Sequence, residues 1–524
     1  MPVLSLLYLA VTPWVPLAVL TGTALLLLPL RVRHIPHVVQ GGVLLATAIV
    51  WGWTLVMGLS PIPMVHEVSL SGPLGLSLTL LLRLDQGHWF FAFVAATLAL
   101  GGAFLLPRRP PVGRVSGPSA ALVLLAGVLV TTMAGNLLTL WLGWLLTHIA
   151  YLGLLLSGGS RALWRTVGLV LLAGIVLWGI ISILPPSMSL RPWSRVTFPT
   201  WALAAMGVSV WLFLGAYPLH RQHLVAVPGV PAPWPWLDVV AGGAWLWRWA
   251  TLEGASLIWS HPTWLALALF AVFGSALAAW ISPSPRSRLV WATIQRNGLL
   301  LFLPILGMAT FHAQVILLIT AVVLAGSSLL VLQRRPLGRG NDIAYLLALA
   351  IFEGIPWTAG APLRDVIAHL WSTHPLLGGL LVVADALVLS ALLFPGNVGH
   401  DGGFLQGLRL AFFLLPALWI GWTLRRATGL SPLGWAETLL PPLLLGGFLA
   451  WQRPRIFVEL RNWAWGMRAV AYLRPMEGFV GRLASWSLTG LGGIVALVDG
   501  AAWIGWLLLA AILAVVWPYL PGGR

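Results

Sequence analysis

The stretch Phe213–Trp249, FLGAYPLHRQHLVAVPGVPAPWPWLDVVAGGAWLWRW, decides how the rest of the chain is read. An apolar run arriving from Trp201 meets Pro218, and His220, Arg221 and His223 follow at once. Pro228, Pro231, Pro233 and Pro235 lace the connection to a second apolar run, which carries Asp238. Proline removes a backbone hydrogen bond and clashes with the preceding turn, so the first helix is predicted to break at Pro218. In a bilayer the freed carbonyls must be met by protein or water, and polar side chains beside such a break line a cavity. The same spacing also fits a plain loop between two spanning helices, with its basic residues at the lipid headgroups.

The composition around this stretch is that of a polytopic membrane protein. Of the 524 residues 59% are hydrophobic and only 8% charged, against roughly 25% charged in soluble domains. Runs of about 20 apolar residues, each long enough to cross a bilayer, recur along the whole chain. The formal charge of +16 does not point to nucleic acid, because the basic residues sit between apolar runs and form no single patch. Every one of them is arginine. Cysteine is absent, which excludes disulfides, thiolate metal ligands and cysteine-held iron–sulfur clusters. Met1–Leu30 lacks a basic n-region and a small-residue cleavage site, so it reads as the first span.

About sixteen spans are predicted: 3–30, 38–60, 87–106, 118–135, 137–157, 163–184, 199–217, 236–252, 262–281, 289–309, 312–333, 342–372 (broken), 376–395, 404–424, 433–451 and 499–519. Val68–Leu84 alternates around Gly72 and Gly75, as an extra-membrane hairpin does. Arginines cluster after spans one, three, five, nine, eleven and fifteen, with Arg191, Arg195, Arg425 and Arg426 as exceptions on the other side. The positive-inside rule then puts the N-terminus outside a cell (inner) membrane. Arg455–Ser487 mixes arginines with Trp463, Trp465, Tyr472, Phe479 and Trp486, the composition of an amphipathic helix lying on a surface.

A second interruption, Phe352–Arg364 (FEGIPWTAGAPLR), falls five spans after the first. Paired interruptions in two halves point to inverted repeats. The expected organisation is N-terminal spans in 1–117, repeats in 118–252 and 262–395, two spans in 404–451, a lateral amphipathic segment in 455–498 and an anchor span in 499–524.

Several short signatures, in order, resemble those of the antiporter-like subunits of respiratory complex I and of Mrp-type cation antiporters. Tyr217-Pro218-Leu219-His220 with Pro231-Ala232-Pro233 resembles that family's Pro-Leu-His motif. Arg288–Gly298 (RLVWATIQRNG) is similar to the start of its tenth span, and Leu349–Asp365 to its broken twelfth. Asn136–Leu145 resembles the fifth span, and Leu82-Arg83-Leu84-Asp85 a pattern before the third. The resemblance implies an all-α fold with two inverted five-helix repeats, each holding a broken helix, plus the lateral helix and a final anchor. It also implies ion translocation along buried ionisable residues at mid-membrane, with neighbouring membrane subunits as partners.

The relay positions depart from that pattern. Leu145 stands where the family has Glu, nothing titrates at Gly243–Trp245 or Thr320–Leu324, and Arg364-Asp365 replaces Lys-Asp. Arginine does not deprotonate in proteins, whereas buried lysine does. The pathway candidates that remain are His148, His220, Asp238, Glu353, Arg364 and Asp385. His148 fits either a relay imidazole or a neutral histidine bonded to backbone. His220 fits either a relay or a donor to the carbonyls freed by Pro218. Asp238 and Asp385 are expected to pair with Arg248 or Arg364, because buried charges persist mainly in pairs. His369, His374, His400 and Asp401 have no tight helical spacing, so no metal site is read; no cofactor-binding motif is found. Three functions follow: an accessory subunit with a reduced or lost relay, a working proton or cation translocator, or the membrane subunit of an inorganic-carbon uptake complex.

Overall fold

A computed structural model describes residues 12–32, 36–59, 64–71, 77–105, 117–157, 163–217, 234–282, 284–306, 308–332, 339–393, 404–424 and 437–452. The Pro-Leu-His segment with His220, the lateral amphipathic segment and the anchor span all lie outside these residues. Counting helices longer than one turn, α1 is Trp14–Val32, α2 Pro36–Gly58, α3 Gln86–Phe104, α4 Gly117–Thr132, α5 Leu137–Ser157, α6 Leu163–Ile183, α7 Thr200–Leu214 and α8 Leu237–Ala250. Then come α9 Pro262–Ile281, α10 Pro285–Leu300, α11 Met308–Thr320, α12 Gly326–Leu332, α13 Arg339–Phe352, α14 Pro362–Thr373, α15 Pro375–Leu392, α16 Phe404–Thr423 and α17 over 437–452. Five segments among them are long and apolar enough to cross a membrane, Phe311–Leu332 being the most hydrophobic. The protein is a helical membrane protein.

The expected hairpin forms. β1 (Met64–Ser71) pairs antiparallel with β2 (Ser77–Leu84), and β2 continues its bonding onto the turn between α4 and α5. Arg83 N–H donates to Met133 O at 2.7 Å, and Gly135 N–H to Leu81 O at 2.8 Å. Asn136, fully buried, ties three segments together. Its Nδ2 donates to Thr79 O (2.9 Å) and Leu190 O (2.8 Å), while its Oδ1 accepts from Thr139 N–H (2.8 Å).

α4 and α5 pack through two reciprocal glycine–threonine contacts. A Cβ on Gly127 would lie 2.4 Å from Thr147 N, and one on Gly143 would lie 2.6 Å from Thr131 N. Without a hydrophobic drive between helices in lipid, close backbone approach at small residues supplies the attraction. α7 and α8 meet in the same way, at Gly242 against Leu214 N.

The helix predicted to break at Pro218 ends three residues earlier. Gly215 takes the left-handed conformation (φ 58°, ψ 36°) and caps α7. A glycine cap in that conformation ends a helix at little steric cost, so the glycine rather than the proline sets the boundary. The tenth span also differs from expectation: α10 starts at Pro285, capped by Ser284, and gives way after Leu300 to a short tight turn, Leu303–Leu306.

α11 and α12 form one column in which every residue over 314–332 is buried. They are joined by a single π-helical turn, Ala321–Ala325. That turn coincides with TAVVL, where the resembled family carries titratable groups. The second break is present as predicted. α13 stops at Phe352, Gly354 follows in the left-handed region (φ 74°), and Pro362 opens α14. Gly360 fits so closely that a Cβ there would sit 1.9 Å from Ile351 O. Trp357 also adopts positive φ (64°), a conformation that is strained for an aromatic residue.

Candidate functional site

The second break leaves a backbone carbonyl without its helical partner, and a side chain supplies one. Arg364, in the first turn of α14, donates through Nε (3.1 Å) and Nη2 (2.5 Å) to Glu353 O. Its Nη1 donates to Asp385 Oδ2 on α15 (2.8 Å) and to Thr438 O on α17 (3.2 Å). A guanidinium has five N–H groups in a fixed fork. It therefore bridges a carbonyl and a carboxylate together, which the point charge of lysine does not do in this geometry.

A second arginine closes the figure. Arg296 on α10 donates through Nη1 to Asp385 Oδ1 (2.7 Å) and to Gln295 Oε1 (2.9 Å), and through Nη2 to Glu353 Oε2 (2.9 Å). Its guanidinium lies over the Phe352 ring, 5.0 Å from the centroid. Glu353 Oε2 also sits 3.7 Å from Arg364 Nη2. Two cations and two anions thus alternate around a ring. Arg296, Arg364 and Asp385 are fully inaccessible and Glu353 is 4% exposed. Each oxygen of Asp385 serves a different arginine. Beside the ring, Gln314 Nε2 donates to Asp365 Oδ2 at 3.4 Å.

Three predicted pathway residues, Glu353, Arg364 and Asp385, therefore meet, and the pairing of Asp385 with Arg364 is as expected. Arg296 was not among the sequence candidates. Its signal was present: Glu353 and Asp385 with Arg364 as their one shared cation leave a buried charge uncompensated, and RLVWATIQRNG held the missing cation.

His148 and Asp238 lie apart from the ring. His148 Nδ1 donates to Trp144 O of its own helix at 2.8 Å, and its ring packs on Trp144 and Phe213. That is the backbone-bonded alternative. Asp238, in the first turn of α8, is 3% exposed, and neither carboxylate oxygen has a hydrogen-bond partner. Its expected pairing with Arg248 does not occur. Ten residues along one helix put the two about 15 Å apart, and Arg248 instead bonds the His88 Nε2 atom.

His88 joins Arg248 to Asp85, whose Oδ1 meets His88 Nδ1 and whose Oδ2 pairs with Arg83 at 3.1 Å. Burial pushes the Asp85 carboxyl up, but the His88 hydrogen bonds and the Arg248 charge outweigh it and hold the group well below the usual carboxylate range. No cluster of three or more metal-ligating side chains occurs among the described residues.

Comparison with solved structures gives one fold. A chain in the structure of the Mrp complex from Dietzia sp. DQ12-45-1b is 18% identical, with a TM-score of 0.70 over 97% of this chain and 63% of that one. The present chain thus spans less than two thirds of that relative's length. A chain of the membrane-bound sulfane sulfur reductase, an archaeal respiratory membrane complex, is 16% identical (TM-score 0.68, 95% of this chain, 100% of that one). A chain of respiratory complex I from Thermus thermophilus is 18% identical (TM-score 0.63, 84% of this chain, 100% of that one). No family model and no curated protein matches the sequence.

Proposed function

We propose that this chain is an antiporter-like membrane subunit of a multisubunit ion-translocating assembly of the Mrp or complex I kind, with a reduced proton relay and a largely structural role. The fold shared with chains of the Mrp complex, the membrane-bound sulfane sulfur reductase and respiratory complex I supports the class, and the order of the sequence signatures supports it independently. In this reading the two broken helices belong to inverted repeats, 118–252 and 262–395, and the N-terminus lies outside. The observation that carries the reduced relay is the ring of Arg296, Glu353, Arg364 and Asp385. Both of its cations are arginines, which stay protonated at any working pH. Both carboxylates are held by charge-assisted bonds, the stronger kind. A relay needs groups that gain and lose a proton, and these four positions offer a closed, charge-neutral ring in their place.

A second reading, an active translocator, is favoured by one observation: Asp238 in the first half is buried and unpaired. The deciding experiment is proton flux in liposomes holding the complete assembly. Under the structural reading, a variant in which Asp385→Asn still assembles leaves the flux of the whole complex unchanged. A flux lost with that substitution while the subunit set stays complete would overturn it.

A further inference from the structure

Arg248 sits in the last turn of α8, and its guanidinium meets no carboxylate. Arg296 and Arg364 each hold acids of the ring, and Arg83 holds Asp85 at 3.1 Å. Asp85 reaches Arg248 only through the His88 ring, which bonds Asp85 at Nδ1 and Arg248 at Nε2. Two guanidiniums therefore share one carboxylate, and both nitrogens of the imidazole between them are taken. The group carries an excess positive charge whatever the state of that imidazole. Arginine keeps its proton, so the excess is not relieved by titration. Trp247 covers one face of the Arg248 guanidinium, its ring centroid 4.9 Å away. The Arg248 Nε–H is buried without a partner.

A cavity adjoins this cation. It is lined by Arg248, His88, the hydroxyl residues Thr131 and Thr132 at the end of α4, and the rings of Trp193 and Trp245. No acid lines it. Both indole N–H groups are spent elsewhere, Trp193 on Ala134 O (3.1 Å) and Trp245 on Ser209 Oγ (2.8 Å). The threonine hydroxyls donate to carbonyls of their own helix, and a hydroxyl proton rotates readily toward a better acceptor. The space takes about one water-sized guest, which excludes sulfate and other oxyanions. Water there would meet the Nε–H and leave the charge standing. A monatomic anion answers both, and a buried charge is cheapest when it is paired and hydrogen-bonded.

We propose that this cavity binds a single halide-sized anion, with Arg248 as its principal ligand. The proposal goes beyond the structural reading of the chain, and neither depends on the other. A bound anion ties the ends of α4 and α8 to the segment carrying Trp193, so its occupancy is read as local stability.

The test is hydrogen exchange on the complete assembly in detergent, with sodium chloride, bromide, sulfate and gluconate compared at equal ionic strength. Chloride and bromide are expected to slow exchange over residues 129–136 and 244–252 in a saturable way, and sulfate and gluconate to leave it unchanged. Arg248→Gln is expected to weaken the halide response about ten-fold or more, the loss of one charge-assisted hydrogen bond. Ala244→Leu keeps the arginine but fills the cavity that Ala244 helps to line, and is expected to abolish the response. Should both variants fail to assemble, diffraction at the bromine edge from wild-type crystals grown in sodium bromide decides alone, with an anomalous peak expected beside Arg248. An equal effect of all four salts, a full halide response in either variant, or an ordered water at Arg248 with no anomalous peak overturns the proposal.

Discussion

Arg296 on α10 donates to Asp385 on α15 at 2.7 Å across 89 residues of sequence, and the opposite oxygen of that carboxylate accepts from Arg364 at 2.8 Å. One acid therefore holds two cations from different helices in place. Neither arginine sheds its charge when the acid is removed.

Asp385→Asn is accordingly expected to destabilise the protein strongly. Removing one partner of a buried ion pair costs about 3–5 kcal/mol, because the remaining charge is left uncompensated. Thermal unfolding in detergent would register this as a large fall in midpoint. Arg364→Lys keeps the charge but loses the fork that caps Glu353 O, so a smaller fall is expected, about 1–3 kcal/mol for the carbonyl left unpaired.

Arg296→Met and Glu353→Leu are each expected to destabilise, and the double variant is expected to be more stable than the sum of the two. The coupling should be about 0.5–3 kcal/mol, the range for groups sharing one network. A double-mutant cycle on the same unfolding signal measures it, and simple additivity would mean that the ring does not act as a unit.

Leucine at Gly127 or Gly143 is expected to force α4 and α5 apart, since a Cβ at either position already meets backbone of the other helix. Overpacking of this kind costs about 1–3 kcal/mol. Leucine at Gly179 is the control, because a Cβ there meets nothing within 4 Å. Detergent stability should fall for the first two and stay level for the third.

Asn136→Ala should release the hairpin. Two carbonyls and one amide lose their buried partner, each left at a cost of about 1–3 kcal/mol. Hydrogen exchange is expected to rise over β1, β2 and the segment around Leu190, with little change over α9–α15.

The sequence carried the second break plainly, because glycine and proline act locally. Phe352–Arg364 breaks where its Gly-x-Pro and Gly-Ala-Pro runs say it should. The same local logic misplaced the end of α7. Pro218 drew the eye, yet Gly215 reaches the left-handed cap first. Charge pairing was harder to read, since partners are chosen in three dimensions. Asp238 and Arg248 share a helix, but their spacing sets them nearly three turns apart. Arg296 lies within a motif read for its order rather than its charge, and only the folding of α10 against α15 shows what its guanidinium holds. His148 could be placed between its two alternatives only once the Trp144 carbonyl was seen beside its ring.

The ring at the second break sums to zero, with two positive and two negative groups enclosed together. A membrane voltage does work only on net charge that moves through the field. Shifted as a rigid body, the ring itself is electrically silent. Any voltage dependence contributed by this chain must then arise from charges outside the ring.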